Sequence, residues 1–352
     1  MEKKRIEFID LAKGLCIILV VLGHLVPAFN TNLLFVFCFR MPLYFCLSGL
    51  FYKDYGGLGS FTIKKINKIL LPFVAWYIIG YCIYSLGRVV TGSQIEAPYH
   101  FNDILYTNDI FNLPIWFLLC LFWSNLLFAI VRTFVKKEKQ LGIAVLGIAA
   151  VGWIMSYNEI FNFLYLGSAM SCLPFFYMGY ALKRTALLYP SESVKKEFII
   201  MVACFAGAFL FAFFPEEPPR LIYYTNKVAY GNLVQIYLCA LMFVIGILLL
   251  CKFIRHIPYV SWLGRYSIIV LVTHLQLSAI TGTLLSMTIG SHVSTNVRYV
   301  INFLVIVACM SLVIPFCKRY LPHITAQKDT IPDNFFPELK RKFGRVFCME
   351  HK

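Results

Sequence analysis

The 352 residues are 60% hydrophobic and 17% aromatic, only 14% are charged, and the formal net charge is +15. That mixture excludes an ordinary soluble domain and matches a chain that crosses a membrane many times. The basic residues stand in short connections between apolar runs, where membrane orientation accounts for them, so nucleic-acid binding is set aside.

The chain opens with MEKKR and an apolar run, which imitates a signal peptide. Asp10 and Lys13 inside the run, its length and the lack of a small-x-small cleavage site instead predict an uncleaved first span, Asp10 to Phe29. A charged side chain near the middle of a lipid-facing helix costs at least about 2.5 to 3.5 kcal/mol, so Asp10, Lys13 and His24 are expected to face protein or a watery cavity. At about 100° per residue the three share one side of the helix, and His24 lies roughly 16 Å beyond Lys13 along its axis.

Length and hydropathy predict about ten spans in an all-α, polytopic integral membrane protein. The others are Leu33 to Tyr52, Ile69 to Leu86, Ile110 to Val131, Leu141 to Met155, Ile160 to Leu182, Phe198 to Phe214, Asn232 to Cys251, Tyr259 to Ile280 and Tyr299 to Cys317. Every second connection is rich in Lys and Arg: Lys53, Lys64, Lys65 and Lys68, then Arg132, Lys136, Lys137 and Lys139, then Lys183, Arg184, Lys195 and Lys196, then Lys252 and Arg255, whereas the others carry little more than Arg88, Arg220, Lys227 and Arg298, mixed with acidic residues. This alternation predicts that both termini are cytoplasmic. The outer connections Arg88 to Asp109 and Pro215 to Gly231 have the length to cover an opening, but read by default as solvated loops. Residues 1–320 are expected to form one transmembrane domain, and 321–352 a loosely ordered, basic cytoplasmic tail. Most of the twelve cysteines lie in apolar runs with no CxxC pair and read as small hydrophobes, and no metal-ligand spacing stands out.

Depth bookkeeping groups the remaining polar residues into two layers. Arg40 is about seven residues, roughly 10 Å, below the outer end of the second span, level with His24 on its antiparallel neighbour. His274 and Trp116 fall in that outer layer, while Ser48 and Gly49 pair with Lys13 and Asp10 nearer the cytoplasm, beside Lys65 and Lys68. Plainer readings stand beside each: Lys13 and Lys68 as snorkelling cations, His274 as an interhelical hydrogen bonder, Trp116 as aromatic belt, Ser48-Gly49 as a packing seam. Arg40 has the weakest plain reading, because a guanidinium does not neutralise.

These residues resemble the integral-membrane acyltransferases of acyltransferase family 3. The carriers are Lys13-x10-His24 in DLAKGLCIILVVLGH, FRMPLYFCLSG at Phe39 to Gly49, KKINKILLP on the third span, and the later segments LPIWFLLCLF, LPFFYMGYALKR and LGRYSIIVLVTH. Lysines occupy positions 13, 65 and 68 where the family more often has arginine, and Arg40 stands where many relatives have histidine. The resemblance implies O-acyl transfer, most often acetyl, from cytoplasmic acyl-CoA to a hydroxyl of a cell-envelope glycan or lipid-linked sugar in a bacterial-type inner membrane. Acetyl-CoA would be a co-substrate, with no tightly bound cofactor. His24 is expected to act as general base with Arg40 on the oxyanion or acceptor and Asp10 neutralising Lys13 and positioning the first helix. Lys13, Lys64, Lys65, Lys68 and Ser48 are expected along the acyl-CoA, and His274 and Trp116 at the acceptor. The alternative is a transporter or flippase for an anionic solute using the same polar path.

Overall fold

The computed structural model describes residues 6–27, 38–90, 92, 98–107, 109–185, 193–213, 220–289, 292–332 and 335. Its helices are α1 (Glu7–Leu25), α2 (Arg40–Leu50), α3 (Leu58–Val90), α4 (Trp116–Phe134), α5 (Glu138–Tyr157), α6 (Leu166–Leu182), α7 (Val194–Phe213), α8 (Leu233–Ile254), α9 (Pro258–Arg265), α10 (Ser267–Ile289) and α11 (Thr295–Tyr320), with a few shorter turns between them. Eight of the described helices are long and apolar enough to cross a membrane. The second and sixth expected spans appear as shorter helices of 11 and 17 residues, and part of the second lies outside the described residues. Below, the end of the bundle where α1 starts is the inner end, and the opposite end the outer.

Three elements differ from expectation. The third helix starts at Leu58 rather than Ile69 and contains a widened π turn over Ile66–Leu70. Pro72 follows that turn. It has no N–H to return to the carbonyl four residues back, and a π turn accommodates the break without ending the helix. The sixth starts at Leu166 rather than Ile160, because Leu164 and Tyr165 take left-handed backbone angles, φ 48° and 59°. The ninth divides at Tyr266 into α9 and α10.

Two helix crossings bring backbones into contact. A Cβ on Gly14 of α1 would lie 1.9 Å from the Val260 carbonyl oxygen of α9, and one on Gly264 would lie 1.8 Å from that of Asp10. Between α2 and α6 the pattern repeats, with Gly49 against Phe176 and Gly179 against Cys46 at 1.9 and 1.7 Å. Lipid tails offer no hydrophobic drive for helix association, so such close backbone packing is what holds a membrane bundle together. Gly49 is thus the packing seam that its sequence allowed. Ser48 next to it faces elsewhere, donating to Asn125 Oδ1 at 3.2 Å.

Both ends are closed by chain that the sequence suggested was loose. At the outer end, β1 (Arg220–Leu221) pairs antiparallel with β2 (Ala229–Tyr230), and the hairpin buries Leu221, Tyr223 and Val228. The Ser156 hydroxyl accepts from the Val228 amide at 2.8 Å, the Asn162 amide donates to the Thr225 carbonyl at 3.3 Å, and the Ser168 hydroxyl donates to the carbonyl of Tyr223. The described part of this connection, 220–231, packs into the bundle as a plug, not the solvated loop expected. At the inner end, residues 321–332 fold back on α3 instead of trailing away. Asn67, fully buried in the π turn, donates to the Ile331 carbonyl at 2.7 Å and accepts from the Thr330 and Ile331 amides at 3.0 and 2.9 Å. Trp76 donates to the Ile324 carbonyl at 3.0 Å.

Candidate active site

Three cavities follow one another through the bundle. The inner one, about 300 Å³, takes Lys13 from α1, Tyr44 and Ser48 from α2, Lys65 and Lys68 from α3, and Ser267 from α10. The middle one, about 140 Å³, is walled by His24, Arg40, Trp116, Tyr223 and Tyr224. Met41, Phe117 and Leu271 belong to both walls and form the partition. His24 lines the middle cavity and also an outer one of about 590 Å³ between α10 and α11, whose other polar residues are Ser278, Thr283, Ser286, Arg298, Tyr299 and Asn302. The imidazole therefore stands where two spaces meet.

The first helix sets this spacing. Eleven residues separate Lys13 from His24, close to three turns, so both project to the same side and reach different cavities. Arg40, at the start of α2, is buried with a guanidinium N–H donated to the Leu19 carbonyl at 2.9 Å, and it lines the middle cavity. The α1–α2 pair is tied again where Tyr44 donates to the Lys13 carbonyl at 3.0 Å. Trp116 is buried and stacked on Tyr223 at 5.3 Å between ring centroids, so it belongs to the cavity and not to an aromatic belt.

Other expected site residues lie elsewhere. His274, expected at the acceptor, is fully buried and lines none of the three cavities. Its Nδ1 sits 3.0 Å from the Val270 carbonyl and 2.9 Å from that of Leu271, which draws the ring back against its own helix. Carbonyls only accept, so Nδ1 carries a proton in this arrangement. That ring is 5.4 Å from the His24 ring, centroid to centroid, and its Nε2 has no hydrogen-bond partner. Asp10, expected to neutralise Lys13 and position the first helix, is buried at the α1–α9 crossing and lines none of the three cavities. Lys64 turns to the folded-back segment 321–332, the inner strap, 2.5 Å from Asp329 Oδ2. Lys68 borders the inner cavity but also reaches Asp329 Oδ1 at 2.8 Å and the Ala326 carbonyl at 2.9 Å. Burial raises the Asp329 carboxyl pKa, but hydrogen bonds from Lys64 and Lys68 outweigh this and hold it below the usual range. Lys65 lines the cavity with its ammonium 5.2 Å from the Phe61 ring centroid.

The sequence did not single out Tyr223 and Tyr224, Asn67 of α3 and its strap neighbour Asp329, or the polar wall around Asn302. A tyrosine pair in a Pro- and Glu-rich connection, and an Asx residue inside a helical run, were the available signals. Among the described residues no group of three or more His, Cys, Asp or Glu side chains is arranged to hold a metal.

A family model described as an acyltransferase domain, that of acyltransferase family 3, matches residues 6–317, nearly the whole chain. The chain belongs to acyltransferase family 3. No curated protein and no solved structure matches it. For a multi-pass membrane acyltransferase the arrangement is chemically apt: an imidazole with access from two sides, a buried guanidinium beside it, and a separate cation-lined space leading towards both.

Proposed function

We propose that this acyltransferase moves an acyl group, most simply acetyl, from acyl-CoA to a hydroxyl of a cell-envelope glycan or lipid-linked sugar. The observation that carries the proposal is the position of His24, shared by the middle and outer cavities and separated from the cation-lined inner cavity by three side chains. In this reading the inner end faces the cytoplasm of a bacterial-type inner membrane and residues 1–320 form the catalytic domain. The donor enters past Lys65 and Lys68, its thiol arm passes Lys13 and Ser48, and the thioester reaches the middle cavity. The acceptor hydroxyl arrives from the outer side.

His24 takes the hydroxyl proton as the oxygen attacks the thioester carbonyl carbon. Arg40 stabilises the resulting oxyanion, a role that strengthens where water is excluded. The carbon–sulfur bond then breaks, and the leaving thiolate takes the proton from His24, which gives free thiol and restores the neutral imidazole. Trp116 and Tyr223 form a flat aromatic wall suited to the acyl group or a sugar face. His274 supports His24 from behind and does not touch the acceptor, while Asp10 contributes by seating α1.

Purified protein with acyl-CoA and envelope extract is the test, read as free thiol released. Native protein is expected to release thiol only when acceptor is present, and His24→Ala to lower kcat by about 10²- to 10⁴-fold at unchanged donor affinity. A correctly folded His24→Ala protein with the native rate would remove His24 from the chemistry.

A further inference from the structure

The inner end holds another cavity, about 490 Å³, that the mechanism above leaves unused. Its wall gathers cations from three connections distant in sequence: Lys53 after α2, Arg132 and Lys136 at and beyond the end of α4, and Lys183 after α6. Asp54 is the one carboxylate in that wall. Membrane orientation explains why such connections are basic. It does not explain why they share one concave surface.

The cations are held in place by their surroundings. Arg132 donates to the Val135 and Lys136 carbonyls at 3.0 and 2.9 Å and stands 3.6 Å from Glu138, and Lys183 donates to the Tyr52 carbonyl at 2.9 Å. Asp54 is occupied in its turn by the Gly57 amide at 2.9 Å. Phe61 stands between this space and the inner cavity. Its ring lies 5.3 Å from that of Tyr52 in the basic cavity, 6.2 Å from that of Tyr55 and 5.2 Å from the Lys65 ammonium, the last two both lining the inner cavity. One aromatic side chain thus touches residues of both walls.

We propose that the basic cavity binds the phosphorylated nucleotide end of the thioester donor, while the thiol arm crosses Phe61 and enters the inner cavity past Tyr55 and Lys65. The proposal rests on the acyl-CoA reading above and specifies where its anionic end docks. Lys64 and Lys68 are engaged by Asp329, so the phosphates need cations from elsewhere. A planar guanidinium and three lysines on a shared wall supply charge-assisted donors, and Tyr180 in the same wall offers a ring face to a base.

The full chain in neutral phosphatidylcholine nanodiscs, titrated with coenzyme A, adenosine 3′,5′-bisphosphate and pantetheine, separates the possibilities. Lys53→Gln with Lys136→Gln is expected to weaken coenzyme A and the bisphosphate by about tenfold or more and to leave pantetheine unchanged. Lys53→Arg with Lys136→Arg should retain affinity, which controls for folding. Unchanged coenzyme A affinity in the Gln pair, with loss in Lys13→Gln or Lys65→Gln, would overturn the basic cavity while leaving the donor reading intact. Wild-type protein that binds none of the three probes would overturn both. If the Gln pair loses only affinity for vesicles containing phosphoinositide, and none for the nucleotides, the cavity is a lipid-headgroup site and the proposal is wrong.

Discussion

Arg40 is the residue whose burial most demands a use, since its charge persists and it lines the middle cavity beside His24. Arg40→Met, which keeps the volume and removes the charge, is predicted to lower kcat by about 10²- to 10³-fold with little change in donor affinity, measured by steady-state kinetics beside calorimetric binding. Equal losses in kcat and donor affinity would instead make Arg40 a binding residue. The pairing of His24 with Arg40 was legible because depth along two antiparallel helices follows from counting residues. The partners of Lys64 and Lys68 were not, because Asp329 lies 265 positions from Lys64 in a stretch whose composition resembles a loose tail. Nor was the withdrawal of His274. Depth counting places a residue along a helix, but the carbonyls that captured its Nδ1 fix which way the ring turns.

The helices hold their positions through two glycine crossings rather than through apolar attraction. Gly179→Ala puts a methyl into the space of the Cys46 carbonyl, which backbone cannot yield cheaply, so a loss of about 1 to 3 kcal/mol is predicted. Gly147→Ala on α5 meets nothing within 4 Å and serves as the control, expected to leave the thermal midpoint in detergent unchanged or slightly raised. Equal midpoints for the two variants would show that the crossing is looser than described. Apolar length located most helices, because hydropathy reads lipid exposure directly. It missed the π turn in α3, the break at Tyr266 and the late start of α6, each set by local backbone chemistry that a hydropathy window averages away.

At the scale of the whole molecule, three cavities lie in sequence from the inner strap to the α10–α11 face, and His24 stands at the last partition. The strap is pinned to α3 by Asp329, which meets Lys64 and the cavity residue Lys68 and whose carboxyl is held below its usual range. Its pairing therefore stabilises the strap fully above the ordinary carboxylate pKa, about 3.9, and is lost only as pH falls through the lower folded value. Hydrogen exchange, corrected for intrinsic rates, is predicted to show steady protection of the Thr330 and Ile331 amides from neutral pH down to pH 5. Asp329→Asn should lose part of that protection already at neutral pH, and full protection in this variant would mean the ion pairs are idle. The most direct measurement of the central claim, a continuous path from donor mouth to His24, is photolabelling with a coenzyme A thioester whose short acyl chain carries a diazirine, followed by peptide mapping. The account predicts cross-links on middle-cavity residues such as Met41, Trp116 and Tyr223, competed by unlabelled acyl-CoA; cross-links confined to lipid-facing surfaces such as α7 would contradict it.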